Sequence, residues 1–232
     1  MIYQIFSRLE LKNAPDGFER QIGFQYVLHS LITRICIDHP YHGIIQLIAL
    51  SNGNKVVGKR AGTYLKNVGN AKVEATKEVL QNIKIQGPGY VSKLINSYEI
   101  LADAYISLAM APTTPLVNQK KTKNVSFAYF KDHTGGKRMD TCLGESSRRK
   151  MPCPPCILTR PPPVRPGKDY GDGETDPIGA ERIARFCPDF SLTDTGLHRP
   201  KIIECIGTKG GRYKQVVKGD GKYMAPYMVY LA

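Results

Sequence analysis

At Ala111-Pro112 the composition of the chain changes abruptly, and the stretch that opens there limits every architecture open to the sequence. Residues 112–185 are dense in Pro, Gly, Lys and Arg, with Met151-Pro152-Cys153-Pro154-Pro155-Cys156 and Pro161-Pro162-Pro163 near the centre. Proline has no backbone donor and restricts the residue before it, so no continuous helix and no central strand can run through such a stretch. It reads as a long disordered connector with extended, polyproline-like pieces. The 232 residues leave room for one large domain or two small ones, and the connector divides them into a part before residue 112 and a part after residue 185.

The first part carries helical periodicity. Between Gly17 and Asp38, Phe18, Ile22, Val27, Leu28, Leu31, Ile32 and Ile35 fall mostly three or four residues apart, which predicts one buried stripe. Pro40 interrupts that helix. The run Ile44-Ile45-Gln46-Leu47-Ile48-Ala49-Leu50 follows, nearly apolar all round, and Ser51-Asn52-Gly53-Asn54 supplies its stop. Residues 71–86 predict a weaker amphipathic helix with Val73, Val79, Leu80 and Ile83 inward, ended by Gly87-Pro88-Gly89. From 90 to 111 the period holds through Val91, Leu94, Ile95, Tyr98, Leu101, Ala102, Tyr105, Leu108 and Ala109. Short turns between apolar helices predict a stack of antiparallel helical hairpins.

Strand character is expected only after Phe186. Asp189-Phe190-Ser191-Leu192 alternates apolar and polar, and Lys201-Ile202-Ile203-Glu204-Cys205-Ile206 is rich in β-branched residues. The turn Gly207-Thr208-Lys209-Gly210-Gly211 leads into Arg212-Tyr213-Lys214-Gln215-Val216-Val217-Lys218. Three short strands in succession predict an antiparallel meander, so the expected class is α+β.

The net charge of +13 points to a nucleic-acid partner only if it sits on folded structure. Residues 118–168 hold twelve lysines and arginines against three acids, so most of the excess falls on the connector. Nonspecific contact with DNA phosphates through this stretch is one reading, and a solvated charge run is the plainer one. The proline-rich tract is also compatible with a polyproline-binding groove on a partner. No stretch approaches the ~20 apolar residues of a membrane span, and the N-terminus lacks the pattern of a signal peptide. Six cysteines are too few for a disulfide scaffold.

The strand, the polar loop Thr193-Asp194-Thr195-Gly196-Leu197-His198-Arg199, the returning strand, the Gly-rich turn and a third strand ending in Lys218 follow the order of a kinase small lobe. There, a loop covers nucleotide phosphates and a lysine on the third strand offers them a compact positive charge. By pattern alone a solvated lysine at the end of a meander is the simpler reading. The residues themselves carry a resemblance. Pro200-Lys201-Ile202-Ile203-Glu204-Cys205-Ile206-Gly207, then Lys214-Gln215-Val216-Val217-Lys218-Gly219, resembles the small lobe of the phosphatidylinositol-3-kinase-related protein kinases. Ile37-Asp38-His39-Pro40-Tyr41-His42 with Gln46-Leu47-Ile48-Ala49-Leu50-Ser51-Asn52-Gly53 resembles the end of that family's helical FAT domain. Leu101-Ala102-Asp103-Ala104-Tyr105-Ile106-Ser107-Leu108-Ala109 is similar to the FAT helix that leads to the catalytic domain.

The resemblance implies a serine/threonine protein kinase that uses ATP and Mg2+, phosphorylates protein substrates in the DNA double-strand-break response, and works in the nucleus. By motif position, Lys218 would contact the ATP phosphates. Leu192, Thr193, Asp194, Thr195, Gly196, Leu197, His198, Arg199 and Pro200 would form the phosphate-covering loop and its ends. The implied domains are the end of a FAT-like domain over 1–111, a connector over 112–185, the start of a kinase domain over 186–219, and a divergent tail over 220–232. After Lys-Gly the family continues with an acidic pair and Leu-Arg-Gln-Asp, whereas this sequence reads Asp220-Gly221-Lys222-Tyr223-Met224 and ends at Ala232. Catalytic Asp, metal-binding Asn or Asp and activation segment are therefore absent from it. The expectation is a truncated or intron-read product that is inactive by itself, with a basic helical scaffold for nucleic acid or protein as the alternative.

Cys153-Pro154-Pro155-Cys156 has the spacing of half a zinc site, with Cys142 and Cys187 as further thiols. A second C-x-x-C is missing, so unpaired thiols are the expected state and no metal site is assigned. His39 and His42 flank a proline that pushes His39 out of helical geometry, which favours a helix junction over a metal or catalytic pair.

Overall fold

A computed structural model describes residues 2–10, 19–53, 63–110, 124–129, 182–193, 200–218 and 227–231. They divide into two compact units, one within residues 1–96 and one taking in residues 97–110 and all the strands.

The helical unit contains α1 (Ile2–Phe6), α2 (Glu19–Asp38), α3 (Pro40–Ser51), α4 (Thr63–Gln86) and the first turns of α5 (Gly89–Met110). Between α2 and α3 only His39 leaves helical geometry, at φ −134°. Pro40 then opens α3, where its missing N–H leaves no intrahelical bond unmade. The His39–Pro40 pair is thus a helix junction, as its sequence predicts. Asn52 closes α3 by donating from Nδ2 to the Ile48 carbonyl at 2.8 Å. Helices α2, α3 and α4 pack against one another, with α1 against α2 and α3. Their core holds Leu28, Ile32, Ile44, Leu47, Ile48, Val73, Val79, Leu80 and Ile83.

Two features of this unit depart from the sequence pattern. Helix α4 begins at Thr63, well before the expected residue 71. In α2 the buried face is rotated from the expected stripe: Val27 and Leu31 are 68% and 46% exposed, and Gln25, His29 and Thr33 are buried instead. Each of the first two has a polar task that apolar periodicity cannot register. Gln25 accepts from Glu10 N–H and donates to the Arg8 carbonyl, and His29 bonds the Glu10 carbonyl. Side chains of Phe18 and Ile22 lie outside the described residues.

Helices α2 and α3 approach closely at Gly43. A Cβ placed there would lie 2.5 Å from Cys36 Sγ and 3.4 Å from Phe6 Cζ. Cys36 is fully buried, and burial pushes its thiol up to about 12, so it packs as a small neutral hydrophobe. Alanine at 43 gains about 1 kcal/mol of helix propensity but overpacks the contact by ~1–3 kcal/mol. Gly43→Ala is therefore expected to destabilise the helical unit by about 1 kcal/mol net. In a Cys36→Ala background the same substitution should become stabilising. Urea denaturation of the four proteins, followed by far-UV circular dichroism, tests the change of sign.

The second unit is an antiparallel sheet of six strands among the described residues: β1 (Asn124–Ser126), β2 (Ile183–Phe186), β3 (Asp189–Leu192), β4 (Lys201–Gly207), β5 (Arg212–Lys218) and β6 (Tyr227–Leu231). The order is β1-β3-β4-β5-β6. β2 also pairs with β4, at residues Cys205 to Gly207, so β2 and β3 occupy one edge of β4 in succession. Between them the Cys187 N–H donates to the Glu204 carbonyl at 2.8 Å and continues the ladder. The expected meander is present in β3, β4 and β5. Its turn needs Gly210, whose φ of +87° suits glycine alone.

Strand character does not begin after Phe186, as the proline content implied. β1 and β2 both come from the stretch read as connector, and β6 comes from the tail. β1 forms because Asn124-Val125-Ser126 is proline-free and finds the exposed edge of β3. Along β4, burial alternates strictly, with Lys201, Ile203 and Cys205 inward. Residues 97–110 of α5 cover that inner face. Tyr105 Oη donates to Gln215 Oε1 at 2.6 Å, Gln215 Nε2 reaches Cys205 Sγ at 3.4 Å, and the Tyr105 ring stands edge-on to Phe186. Helices and a separate antiparallel sheet make the chain α+β, as expected.

Candidate functional site at the loop end of the sheet

The candidate phosphate loop springs from one end of the sheet, and hydrogen-bond register fixes what stands beside it. β3 and β4 pair through Ser191↔Ile202 and Leu192↔Lys201. One residue further on, the Thr193 N–H donates to the Pro200 carbonyl at 3.0 Å and closes the base of the loop. β4 and β5 pair through Lys201↔Val217. Carrying that ladder on by one residue sets Pro200 beside Lys218, and Lys218 pairs in turn with Tyr227 of β6. Thr193, Pro200 and Lys218 thus occupy one row across three neighbouring strands, at the end where the loop emerges. The sequence placed Leu192, Thr193, Pro200 and Lys218 at one site, and the backbone brings these four together. Asp194, Thr195, Gly196, Leu197, His198 and Arg199 lie outside the described residues, as does the side chain of Lys218.

Sequence reasoning missed Lys201, which is 3% exposed although it directly follows the loop. Its Nζ donates to the Ala109 carbonyl at 3.1 Å, near the C-terminal end of α5. Desolvation lowers its pKa from 10.5 to about 8. The signal was present in the alternation of Lys201, Ile203 and Cys205, which assigns all three to the inward face. On the opposite face, exposed Arg212 donates from Nε to Glu204 Oε1 at 2.5 Å. The backbone therefore places two lysines at this end of the sheet: Lys201, whose side chain is turned into the core, and Lys218 in the loop row.

The remaining candidates separate from this site. Cys142, Cys153 and Cys156 lie outside the described residues, as does the basic run 118–168 apart from 124–129. Cys187 is a free, half-buried thiol between β2 and β3. The His39 and His42 rings meet edge to face at 6.0 Å in the helix junction. Among the described residues no three His, Cys, Asp or Glu side chains gather as a metal-binding group. No helix among them is long and apolar enough to cross a membrane.

No protein-family model matches the chain. Curated relatives do. Over 218 residues, 94% of its length, the chain is 28% identical to the serine/threonine-protein kinase ATM of Arabidopsis thaliana. Over 221 residues it is 30% identical to the serine/threonine-protein kinase tel1 of Neurospora crassa. It spans only 5% and 6% of the length of these two relatives. Among solved structures, the FAT and kinase domain of CtTel1 superposes with a TM-score of 0.61 at 23% identity, covering 94% of this chain and 12% of that one. The sequence matches support an ATM-like stretch of the phosphatidylinositol-3-kinase-related kinases, and the structural match supports its fold.

Proposed function

We propose that the loop end of the sheet is the phosphate-facing part of an ATP site, belonging to a serine/threonine protein kinase of the DNA double-strand-break response in the nucleus. The observation that carries this reading is the single row of Thr193, Pro200 and Lys218 at the mouth of the 194–199 loop. Phosphoryl transfer needs positioning and charge neutralisation more than covalent chemistry from the protein. A loop anchored at both ends by a strand pair supplies the positioning, and Lys218 on the neighbouring strand supplies the charge. The base, and the ligands of the Mg2+ that accompanies the nucleotide, come in this reading from elements beyond the residues described. Residues 1–111 then correspond to the end of a FAT-like domain and residues 186–219 to the start of the catalytic domain, with β1 lent to its sheet from the connector between them. Protein substrates follow from the kinases this chain is similar to, and nonspecific contact with DNA phosphates through 118–168 from the basic charge of that stretch.

A lysine-directed acyl-phosphate derivative of ATP tests the site on the full chain. With Mg2+ present, Lys218 is expected to be the acylated lysine, and excess ATP is expected to suppress the labelling by about tenfold or more. Acylation of Lys218 that ATP leaves unchanged would overturn the ATP site. The alternative reading, a basic scaffold for nucleic acid, predicts no ATP protection. It predicts instead a stability gain with duplex DNA that falls steeply as salt rises.

A further inference from the structure

β5, the strand that ends in Lys218, is held by more than its backbone ladder. Along β4, Pro200 and Glu204 turn their carbonyls toward β3 and β2, where the Thr193 and Cys187 N–H groups donate to them at 3.0 and 2.8 Å. Backbone groups alternate sides along an antiparallel strand, so Lys201, Ile203 and Cys205 are the residues of β4 bonded toward β5. Their partners there are Val217, Gln215 and Tyr213. Val217 is therefore the last residue of β5 bonded to β4, and Lys218 turns its backbone to Tyr227 of β6. Three residues before Lys218, the Gln215 side chain is fully buried and bonded at both ends of its amide. Its Oε1 accepts from Tyr105 Oη at 2.6 Å, and its Nε2 donates to Cys205 Sγ at 3.4 Å. Tyr105 belongs to α5 and is itself buried. With no water to compete, a bond between two buried polar groups fixes their separation, because either group left alone carries its whole desolvation cost.

We propose that Gln215 is a positioning residue for Lys218, and that Tyr105 acts through it. This role rests on the ATP reading above and adds to it the device that sets the site. Helix α5, which comes from the FAT-like part of the chain, holds β5 where Lys218 stands in row with Thr193 and Pro200. The Lys201 bond to Ala109 ties α5 to β4, whereas the Tyr105 bond to Gln215 ties it to β5. The two ties therefore load different strands. Because the backbone of Lys218 is bonded toward β6 and not toward β4, its place across from the loop depends on how β5 itself is held. A small displacement of a positioning group costs much of its effect on a bound phosphate.

ATP-competed acylation of Lys218 in the full chain, run with the acyl-phosphate probe well below saturation, reads this role. Tyr105→Phe and Gln215→Met are each expected to raise the ATP concentration that halves labelling by about tenfold. The double variant should show no larger shift than either single, because both act through one bond. It also replaces both partners by apolar groups of similar shape, so its urea midpoint should return close to that of wild type. A residue that merely supported the fold would lose its effect on ATP as stability returned. Lys201→Met should leave the half-protecting concentration unchanged. Protection of the double variant at the wild-type ATP concentration, or an equal shift in Lys201→Met, would overturn the role of Gln215 and leave the ATP site standing. Wild-type labelling of Lys218 that ATP does not suppress would remove the ATP reading, and this role with it.

Discussion

Replacing Phe127 by alanine is expected to lower the stability of the sheet unit by about 3–5 kcal/mol, the range for a large aromatic removed from a packed interior. Phe127 follows β1 and is 1% exposed, and its ring centroid lies 5.2 Å from that of Phe190, itself 2% exposed. The Phe127 N–H also donates to the Pro188 carbonyl at 3.0 Å, so the residue is held by backbone and ring together. Among the described residues β1 pairs with β3 alone, by Asn124↔Ser191, Val125↔Phe190 and Ser126↔Asp189. Truncating Phe127 therefore removes the ring packing against Phe190 and leaves β1 held by its backbone bonds alone. Hydrogen exchange of the full chain should show faster exchange at β3, with part of the loss reaching β4, while α2 and α3 are unchanged. Ser126→Ala, which removes no apolar packing, is the control. A loss below about 1 kcal/mol would mean that residues 124–129 ride on the sheet without supporting it.

That prediction falls on a residue the sequence placed in a connector. The helices were legible because their apolar positions recur over several turns: Val91, Leu94, Ile95, Tyr98 and Leu101 all lie inside as the period requires. β3, β4 and β5 were legible through alternation and the glycines of the turn. β1 was not, because three residues are too few for a period, and its burial comes from a partner some 65 residues away in the chain. β6 carries no polar alternation to announce it, only the run Tyr227-Met228-Val229-Tyr230-Leu231. In α2 the miss has another cause. Val27 and Leu31 satisfy the helical period as well as Leu28 and Ile32 do, and only the capture of Glu10 by Gln25 and His29 turns the helix to its actual face. At the candidate site, motif spacing was enough to name Thr193, Pro200 and Lys218. Register, which sequence does not contain, was needed to align them. Lys201 escaped because a lysine beside a polar loop reads as exposed until its partner at Ala109 is known.

Lys201 also gives the sheet unit a stability that rises with pH where a basic protein would be expected to show little change. The unfolded chain keeps this proton up to about pH 10.5, whereas the folded chain releases it at about 8, because burial disfavours the charged ammonium. The bond to the Ala109 carbonyl favours the charge, as does the negative end of α5, but desolvation outweighs both. Between those two pH values the unfolded state binds more protons, so stability climbs with pH. Below about 8 both states are protonated and the full penalty is present. A gap of this size corresponds to a gain on the order of 3 kcal/mol across the interval. Lys201→Met removes the titrating group, and its unfolding curve should lose that climb when urea midpoints at pH 7.5 and 10 are compared. Lys201→Arg cannot release its proton in this range and should be both flat and less stable than wild type at pH 10. An undiminished slope in Lys201→Met would assign the pH dependence to another group. Because Lys201 is turned toward α5 and away from the loop row, Lys201→Met should also leave ATP-protected acylation of Lys218 intact. Loss of that protection would instead place both lysines at the phosphates.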